Sequence, residues 1–478
     1  MFFNFNRIWS IIPGFLAYIV SILLSFSSPT NSQFYISIGI AILIINLWIS
    51  EIIPIWLSSL FPIILMPIHD LLSIPNTLKN YFNPTIFLFL GGFLLAYSVE
   101  KWHLHKRIAF KLLSITGDKP KQIIWGLMLT SALLSMWISN TATAIMMLPI
   151  ALSITKLLEN ENRKISMIIV LCIAYGANIG GVATLIGTPP NIVYKGFVES
   201  ILHQEITFFQ WLIFGIPTSA IMLYFTYLIL TRIFVKIDNQ PMKEIGEMLD
   251  NQYEQLGQLS SSEKRTLIVF LLAIFFWIFS QPINQILGNY KFDFKIKEHH
   301  VALFFSFLLF IIPFKKSTKI KLLSVNDFKY INWSILLLFG AGISIAKGLE
   351  TTGVIAFLGD WISSQKYANW SILLLLLIFL AIFLTEFMSN VALAQIFIPV
   401  VFGIALAMPN MNPHVLAIPV TIACSFAFML PIATPPNAVV FSSGHIKMTY
   451  MIKIGFLINI VAIILLWLIG TYILPLVF

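Results

Sequence analysis

The sequence predicts an all-α protein that crosses a membrane many times. Of its 478 residues, 58% are hydrophobic and only 10% are charged, and the mean hydropathy is +0.90. A soluble protein carries about 25% charged residues. Several apolar runs approach the ~20 residues that a helix needs to cross a bilayer. The clearest of these runs cover residues 11–24, 34–49, 208–230, 267–279 and 454–474.

The basic residues predict the side of the membrane on which each loop lies. Threading the apolar runs with the N-terminus inside places 22 of the 29 Lys and Arg residues on the cytoplasmic side. This bias follows the positive-inside rule, and it accounts for the net charge of +9 without a nucleic-acid partner. The first run follows one basic residue, Arg7, without a small-residue cleavage motif, which predicts a retained helix. We assign the chain to the cytoplasmic membrane of a bacterium, with the N-terminus inside and the C-terminus outside.

A short polar pattern occurs twice inside apolar sequence. Ser-Asn-Thr at 139–141 is followed by Gly-Thr-Pro-Pro-Asn at 187–191, and Ser-Asn-Val at 389–391 is followed by Ala-Thr-Pro-Pro-Asn at 433–437. The Ser-Asn pairs lie 250 residues apart and the Thr-Pro-Pro-Asn segments lie 246 apart. An apolar segment with a glycine, upstream of each Ser-Asn pair, recurs at an offset of 249. These near-constant offsets indicate two related halves.

A polar linker separates the two halves. Residues 237–265 contain Asp, Asn, Gln, Glu, Ser and Gly without a sustained apolar run, which predicts a cytoplasmic segment. We therefore expect a first repeat at 1–236, the linker at 237–265 and a second repeat at 266–478. The loop that precedes Ser139 is basic, whereas the corresponding loop before Ser389 is not. We therefore expect the repeats to have inverted topologies, as in alternating-access carriers.

Each Ser-Asn pair lies midway along an apolar stretch that divides into two arms. An arm of roughly 15 residues reaches about 22 Å, which places its tip near the middle of the bilayer. We expect an inward-opening re-entrant hairpin with its tip near 139–141, and an outward-opening one with its tip near 389–391. Two complete spans at each motif are the alternative, and they disturb the charge parity of later loops.

Interrupted helices offer two kinds of ligand. Free N–H groups at half-helix N-termini suit carboxylates and other oxyanions. Freed carbonyls, together with Ser, Thr and Asn oxygens, suit a hard cation such as sodium. Ser135 lies one helical turn before Ser139, and Thr385 has the same relation to Ser389. We predict two quasi-equivalent sodium sites beside one anion site. A single Ser-Asn pair is more typical of packing residues, but its duplication favours function.

The motifs closely resemble those of the divalent-anion/sodium symporter family. The resemblance rests on Ser-Asn-Thr-Ala-Thr-Ala at 139–144, Gly-Thr-Pro-Pro-Asn at 187–191 and the segment 428–437, and it covers nearly the whole chain. It implies eleven transmembrane helices plus two re-entrant hairpins, in a lipid-embedded homodimer that works by an elevator motion. It also implies transport of succinate, malate, fumarate, citrate or a related dianion, usually with several sodium ions.

The same resemblance implies which residues bind the ions and the substrate. One sodium site comprises Ser135, Ser139, Asn140 and the Gly187 carbonyl. The other comprises Thr385, the Met388 carbonyl, Asn390 and the Ala433 carbonyl. The substrate site comprises Ser139, Asn140, Thr141, Thr188, Pro189, Ser389, Asn390, Val391, Thr434 and Pro435.

Two residues depart from a symmetric pair of sites. Val391 stands where many family members have threonine, and a lost hydrogen bond to a charged group is worth about 1.5–3 kcal/mol. We therefore expect the second acidic end of the substrate to be held differently or to be of another type. Glu386 is a costly charge at membrane depth, and its counterpart Met136 is apolar. We expect a buried, partnered or protonated structural carboxylate at Glu386, with proton coupling as the alternative.

Sodium-coupled symport of a small dianion is the leading hypothesis. Sodium-independent dicarboxylate exchange, symport of citrate or sulfate, and a channel are the alternatives. An enzyme needs a convergent base or nucleophile, and the apolar segments contain no His-Glu metal signature or clustered Asp pair. Two cysteines are too few for a disulfide framework or a four-thiolate metal site. We therefore predict that the protein is not an enzyme.

Overall fold

The computed structural model describes residues 9–158, 163–234, 241–290, 294–315, 320–363, 369–408 and 411–477. Within these ranges nearly all regular structure is helical, and the one β-bridge joins Pro313 and Lys321. The predicted all-α class is confirmed. Arg7 and the predicted boundary between the first repeat and the linker lie outside the described residues.

The helices of the first half run in the following order. They are α1 (Ile12–Ser27), α2 (Ser32–Ser50), α3 (Ile55–Ser58), α4 (Phe61–Ile68), α5 (Ile74–Tyr81), α6 (Pro84–Lys101), α7 (Leu104–Thr116), α8 (Pro120–Ser135), α9 (Asn140–Leu158), α10 (Arg163–Gly181), α11 (Pro189–Phe197) and α12 (Phe208–Leu228). The linker contains α13 (Lys243–Gln255).

The second half continues with eleven further helices in the described residues. They are α14 (Ser261–Ile278), α15 (Ser280–Asn289), α16 (Glu298–Ile311), α17 (Trp333–Thr351), α18 (Val354–Ser363), α19 (Trp370–Thr385), α20 (Asn390–Ala407), α21 (Pro413–Ala423), α22 (Pro435–Phe441), α23 (Met448–Leu468) and α24 (Leu474–Val477).

Nine helices of the described ranges are long and apolar enough to cross a membrane. Helices α14 and α15 form a further apolar pair that bends by 67° at their junction. Shorter apolar helices, including α16, α19 and α21, lie among the longer ones. The predicted class of polytopic membrane protein is confirmed. The count of eleven spans, the re-entrant hairpins and the inverted repeats stay predictions.

Prolines determine where several helices begin. A proline at the first or second helical position opens α6, α8, α11, α21 and α22. Proline is tolerated there because the first N–H groups of a helix have no intrahelical partner. The two Thr-Pro-Pro sequences therefore start α11 and α22, and each ends a non-helical break that follows α10 or α21.

The helices that flank the Ser-Asn and Thr-Pro-Pro motifs pack against one another. Helices α8 and α9 pack against α10, and α19 and α20 pack against α21. The second arm of each pair also reaches the other half, since α9 packs against α22 and α20 packs against α11. Both Ser-Asn motifs and both Thr-Pro-Pro motifs consequently belong to one packed body.

The linker is anchored to the first half by a buried arginine. Arg107 of α7 donates to the carbonyls of Leu256 and Gly257 at 2.9 and 2.8 Å. Its Nε also lies 2.9 Å from a carboxylate oxygen of Glu263, at the start of α14. Helix α13 is thereby held against α7, so the described part of the linker has a defined position.

Candidate functional site

Both Ser-Asn motifs interrupt a helix. Helix α8 ends at Ser135 and α9 begins at Asn140, while α19 ends at Thr385 and α20 begins at Asn390. Each interruption leaves four residues between the helices. The helices therefore break where the sequence predicts, and the asparagine opens the second arm in both copies.

A hydroxyl and an amide oxygen meet at each interruption. The Ser135 hydroxyl donates to Asn140 Oδ1 over 2.6 Å, and the Thr385 hydroxyl donates to Asn390 Oδ1 over 2.7 Å. Ser135 and Thr385 are both fully buried. The Thr385 hydroxyl also lies 2.8 Å from the carbonyl oxygen of Cys424, so its one proton has two acceptors, whereas a hydroxyl oxygen keeps lone pairs that can accept in either copy. The two copies thus present the same pair of neutral oxygens.

The asparagine of each Thr-Pro-Pro-Asn motif holds the break in front of it. The Asn191 side chain donates towards the carbonyls of Gly181 and Thr184 over 3.3 and 2.8 Å. Asn437 donates towards the carbonyls of Ala427 and Leu430, over 3.0 and 3.1 Å. In both copies the accepting carbonyls lie ten and seven residues before the asparagine. Backbone groups freed by the break are therefore satisfied in the same way twice.

Close backbone approaches connect the first motif with the first break. A Cβ atom at Gly181 would lie 2.5 Å from Asn140 Oδ1, and one at Gly187 would lie 3.0 Å from the carbonyl oxygen of Ser135. A Cβ atom at Gly187 would also lie 2.4 Å from the carbonyl oxygen of Gly181, so only glycine fits at residue 187. The predicted ligands Ser135, Asn140 and Gly187 are therefore brought together, with the Gly181 backbone against them.

The halves meet through polar side chains at the two breaks. Asn178 of α10 donates towards Thr434 Oγ1 over 3.1 Å and towards Asn437 Oδ1 over 3.2 Å. The hydroxyl of Tyr175 donates to the carbonyl of Phe428 over 3.0 Å. These contacts place α10 of the first half against the second break. The second Thr-Pro-Pro motif therefore lies beside the helix that leads into the first one.

The predicted substrate-site residues differ in their solvent exposure. Ser139 is exposed, and Asn140, Thr141, Ser389 and Asn390 are partly exposed. The remaining ones are the partly exposed Pro189 and Val391, the exposed Pro435, and the buried Thr188 and Thr434. The motif tips thus reach accessible space while the residues beneath them are enclosed.

The two tips differ in their helix caps. Ser139 Oγ accepts the N–H of Ala142 over 3.2 Å and so caps α9, whereas the Ser389 side chain makes no capping bond to α20. Capping satisfies one of the free N–H groups at the N-terminus of α9. The free N–H groups that favour an anion are therefore not presented identically by the two copies.

Glu386 holds the second break by its carboxylate. Its two oxygens accept the backbone N–H groups of Phe428, Met429 and Leu430 over 2.8 to 3.1 Å. Asn459 of α23 donates to the same carboxylate over 2.8 Å. The side chain is buried. The expectation of a buried, partnered carboxylate is confirmed.

A hydroxyl makes the corresponding link in the first copy. Thr184 donates to the carbonyl of Met136 over 2.5 Å, and these residues correspond to Leu430 and Glu386 at the offsets of the repeats. Each Ser-Asn interruption is therefore hydrogen-bonded to the break of its own half. The acceptor is a backbone carbonyl in the first copy and a carboxylate in the second.

Sequence reasoning missed several of these positioning residues. Asn178, Thr184 and Asn459 stand outside the duplicated motifs, and no local signal marks them. Asn191 and Asn437 carried a signal, because asparagine closes both Thr-Pro-Pro-Asn copies.

The site consists of neutral oxygens. Hydroxyl, amide and carbonyl oxygens at interrupted helices suit sodium, which broken-helix carriers bind in this manner. Some buried oxygens beside the breaks have no hydrogen-bond partner among the described residues, namely Thr143 Oγ1, Asn178 Oδ1, Asn191 Oδ1 and Ser425 Oγ. Unpaired buried acceptors of this kind point to an ion or water. The described part of the chain holds no cluster of three or more His, Cys, Asp or Glu residues that fits a metal ion.

The chain is similar to known transporters over almost its whole length. Residues 6–478 match the family model described as sodium:sulfate symporter transmembrane region. The sodium-dependent dicarboxylate transporter SdcS of Staphylococcus saprophyticus is 34% identical, with 99% of this chain and 92% of that relative covered. SdcS of Staphylococcus aureus strain MRSA252 is 33% identical with the same coverage.

Two solved transporters share the fold. The YdaH transporter of Alcanivorax borkumensis has a TM-score of 0.53 at 13% identity, covering 83% of this chain and 87% of that one. MtrF of Neisseria gonorrhoeae, from a class described as antimetabolite efflux pumps, has a TM-score of 0.54 at 15% identity, covering 83% of each chain. At this identity the likeness concerns the fold alone.

Proposed function

Because this chain belongs to the sodium:sulfate symporter family, we propose that it carries a small dicarboxylate across the membrane by sodium-coupled symport. Membership makes it an integral membrane transporter and not an enzyme. The similar SdcS proteins are sodium-dependent dicarboxylate transporters, and sodium is the coupling ion in this proposal. The observation that carries it is the pair of matched contacts, Ser135 with Asn140 and Thr385 with Asn390.

We propose that sodium binds at the two Ser-Asn interruptions. Ser135, Ser139, Asn140 and the Gly187 carbonyl bind one ion, and Thr385, the Met388 carbonyl, Asn390 and the Ala433 carbonyl bind the other. The approach of Gly187 to Ser135 supports the first set, and the contact between Thr385 and Asn390 supports the second. Two bound cations beside the motif tips then favour a dianion between them, since opposite charges attract.

We propose that the substrate carboxylates bind at the accessible motif tips, residues 139–141 and 389–391. Ser139, Asn140 and Thr141 at the start of α9 face one end, with Thr188 and Pro189 nearby in the first Thr-Pro-Pro motif. Ser389, Asn390 and Val391 at the start of α20 face the other end, with Thr434 and Pro435. A C4 dicarboxylate such as succinate, malate or fumarate has two charged ends for the two tips.

Transport follows an alternating-access motion in this proposal. The packed body of hairpins and broken helices moves as an elevator against a wall that contains α2, α17 and α18. The N-terminus and the linker lie in the cytoplasm, the C-terminus lies outside, and the carrier works as a homodimer in the cytoplasmic membrane of a bacterium. The packing of α9 against α22 and of α20 against α11 supports one moving body.

Uptake into proteoliposomes tests this function. We expect saturable uptake of radiolabelled succinate with an inward sodium gradient and almost none when choline replaces sodium. Unlabelled malate, fumarate, citrate and sulfate, each added as competitor, rank the substrates. Uptake in choline that requires an internal dicarboxylate would identify a sodium-independent exchanger. Stronger competition by citrate or by sulfate would identify that anion as the preferred substrate. Protein-free liposomes provide the control.

Val391→Thr should change the preference among acids. The added hydroxyl restores a donor beside Asn390, and a hydrogen bond to a charged group is worth about 1.5–3 kcal/mol, or about a tenfold change or more. We expect the KM for C4 dicarboxylates to fall while the KM for sodium stays the same. Valine and threonine have similar volumes, so Val401→Thr in the buried part of α20 is the matched control. Equal KM shifts for every acid would place residue 391 outside the substrate site.

A further inference from the structure

The second arms of the two hairpins expose the same face to different degrees. Ile145, Pro149 and Ser153 of α9 are spaced by four residues and therefore share one helical face, and all three are exposed. Their counterparts in α20, at the offset of 250, are Gln395, Pro399 and Gly403, and all three are buried. The contrast is largest at the first pair, where Ile145 is 56% exposed and Gln395 is 4% exposed.

Two close approaches cover this face of α20. A Cβ atom at Gly342 of α17 would lie 1.6 Å from Gln395 Oε1, so the amide lies directly over the bare glycine backbone. A Cβ atom at Gly403 would lie 2.4 Å from a methyl carbon of Ile355, on α18. Helix α20 is therefore docked against α17 and α18, and an added Cβ at Gly342 or Gly403 would have to displace the Gln395 or Ile355 side chain.

The surroundings of the Gln395 amide are largely apolar. Neither the nitrogen nor the oxygen of the Gln395 side chain has a partner among the described residues. Gln395 lines a cavity of about 80 Å³ between α20 and the wall. Trp48 of α2 lines the same cavity, and its indole N–H also has no partner among the described residues. A buried unpaired amide destabilises the arrangement that buries it. The docked face of α20 thus places the Gln395 amide in the otherwise apolar lining of this cavity, which is a weaker contact than continuous apolar packing.

We propose that Gln395, seated on Gly342, is a positioning residue that sets the equilibrium between the two faces of the carrier. The inference rests on the alternating access of the proposed function. In the arrangement described here α20 is docked on the wall and the corresponding face of α9 is open. When the site changes sides, Gln395 leaves Gly342, the docked face of α20 becomes exposed, and the face of Ile145 becomes covered.

Gly342→Ala tests the contact between the Gln395 amide and the Gly342 backbone directly. The added methyl occupies the place of the Gln395 amide, so it should move the population away from the docked arrangement. The readout is the rate at which a water-soluble methanethiosulfonate reagent modifies Ile145→Cys in nanodiscs. Cys172 and Cys424 are both buried, which keeps the background low. We expect Gly342→Ala to slow this modification by about threefold or more, as a population shift requires.

Rescue separates this role from general damage to α17. Gln395→Ala removes the group that the new methyl meets, so the double variant Gly342→Ala/Gln395→Ala should recover the parent modification rate. Gly288→Ala, where an added Cβ meets no atom within 4 Å, is the control and should leave the rate unchanged. The maximal rate of uptake should follow the same order, with little change in KM.

Three outcomes would overturn the inference. They are unchanged modification in Gly342→Ala, a slow rate that Gln395→Ala does not restore, and an Ile145→Cys parent that the soluble reagent does not modify. The labelling requires no substrate and no sodium gradient. A failure of sodium-coupled dicarboxylate uptake therefore leaves the labelling result standing, and a failure of the rescue leaves the proposed function standing.

Discussion

Asn390→Ala and Asn140→Ala should each abolish sodium-coupled uptake. Each asparagine accepts a hydrogen bond from a buried hydroxyl, from Thr385 and Ser135 respectively, and in the proposed site each also faces an ion. Losing one such contact to a charged group costs about 1.5–3 kcal/mol, and losing the ion and the substrate contact together should reduce uptake at least about a hundredfold. Initial rates of succinate uptake against external sodium measure this effect.

Two comparisons show whether this loss is specific. Asn289→Ala changes an exposed asparagine at the end of α15 and should transport like the parent. Both site variants should be expressed and elute from a sizing column as the parent does. If the sites are equivalent, the two variants should raise the sodium requirement to a similar extent. Unchanged transport in both would remove Asn140 and Asn390 from the site.

Glu386→Ala should destabilise the protein and eliminate transport. The alanine leaves the N–H groups of Phe428, Met429 and Leu430 without their acceptor, and each unsatisfied buried group costs about 1–3 kcal/mol. The second break should then lose its shape. The Ala433 carbonyl should consequently move away from the proposed sodium site. We expect the apparent melting temperature in detergent to fall by at least about 5 °C.

Glu386→Gln distinguishes geometry from charge. Its amide keeps one acceptor oxygen for the backbone N–H groups but turns a donor towards the groups that occupied the other oxygen. We expect an intermediate melting temperature and a raised sodium requirement. Glu350→Gln, in an ion pair with Lys347 that is partly exposed, is the matched control and should behave like the parent. A Glu386→Gln variant with parent stability and an altered pH dependence of uptake would favour proton coupling instead.

Much of the architecture is local and was therefore readable from the sequence. Long apolar runs must become helices in lipid because their backbone groups find partners only within the segment. Proline cannot continue a helix from the preceding turn, so Thr188 and Thr434 directly precede new helices. The interruptions at Asn140 and Asn390 were predicted for a different reason, because the same polar Ser-Asn pair recurs inside apolar sequence in both halves.

The partners of the polar groups were not readable. Glu386 meets N–H groups that lie 42 to 44 residues further along the chain. Asn178 meets the second break across 256 residues in its bond to Thr434. Neither residue carries a local signal for these contacts, because the choice of partner depends on how α10, α21 and α23 pack around the two breaks.

The sequence by itself determined the membrane class, the positions of the helix breaks and the duplication of the oxygen-bearing motif, because hydropathy and backbone chemistry act over a few residues. Only the tertiary structure decided which oxygens meet, that Glu386 secures the second break, and that α20 is docked on Gly342 while the matching face of α9 is open. Those features depend on packing between segments far apart in the chain, where an added Cβ atom changes how closely two helices approach.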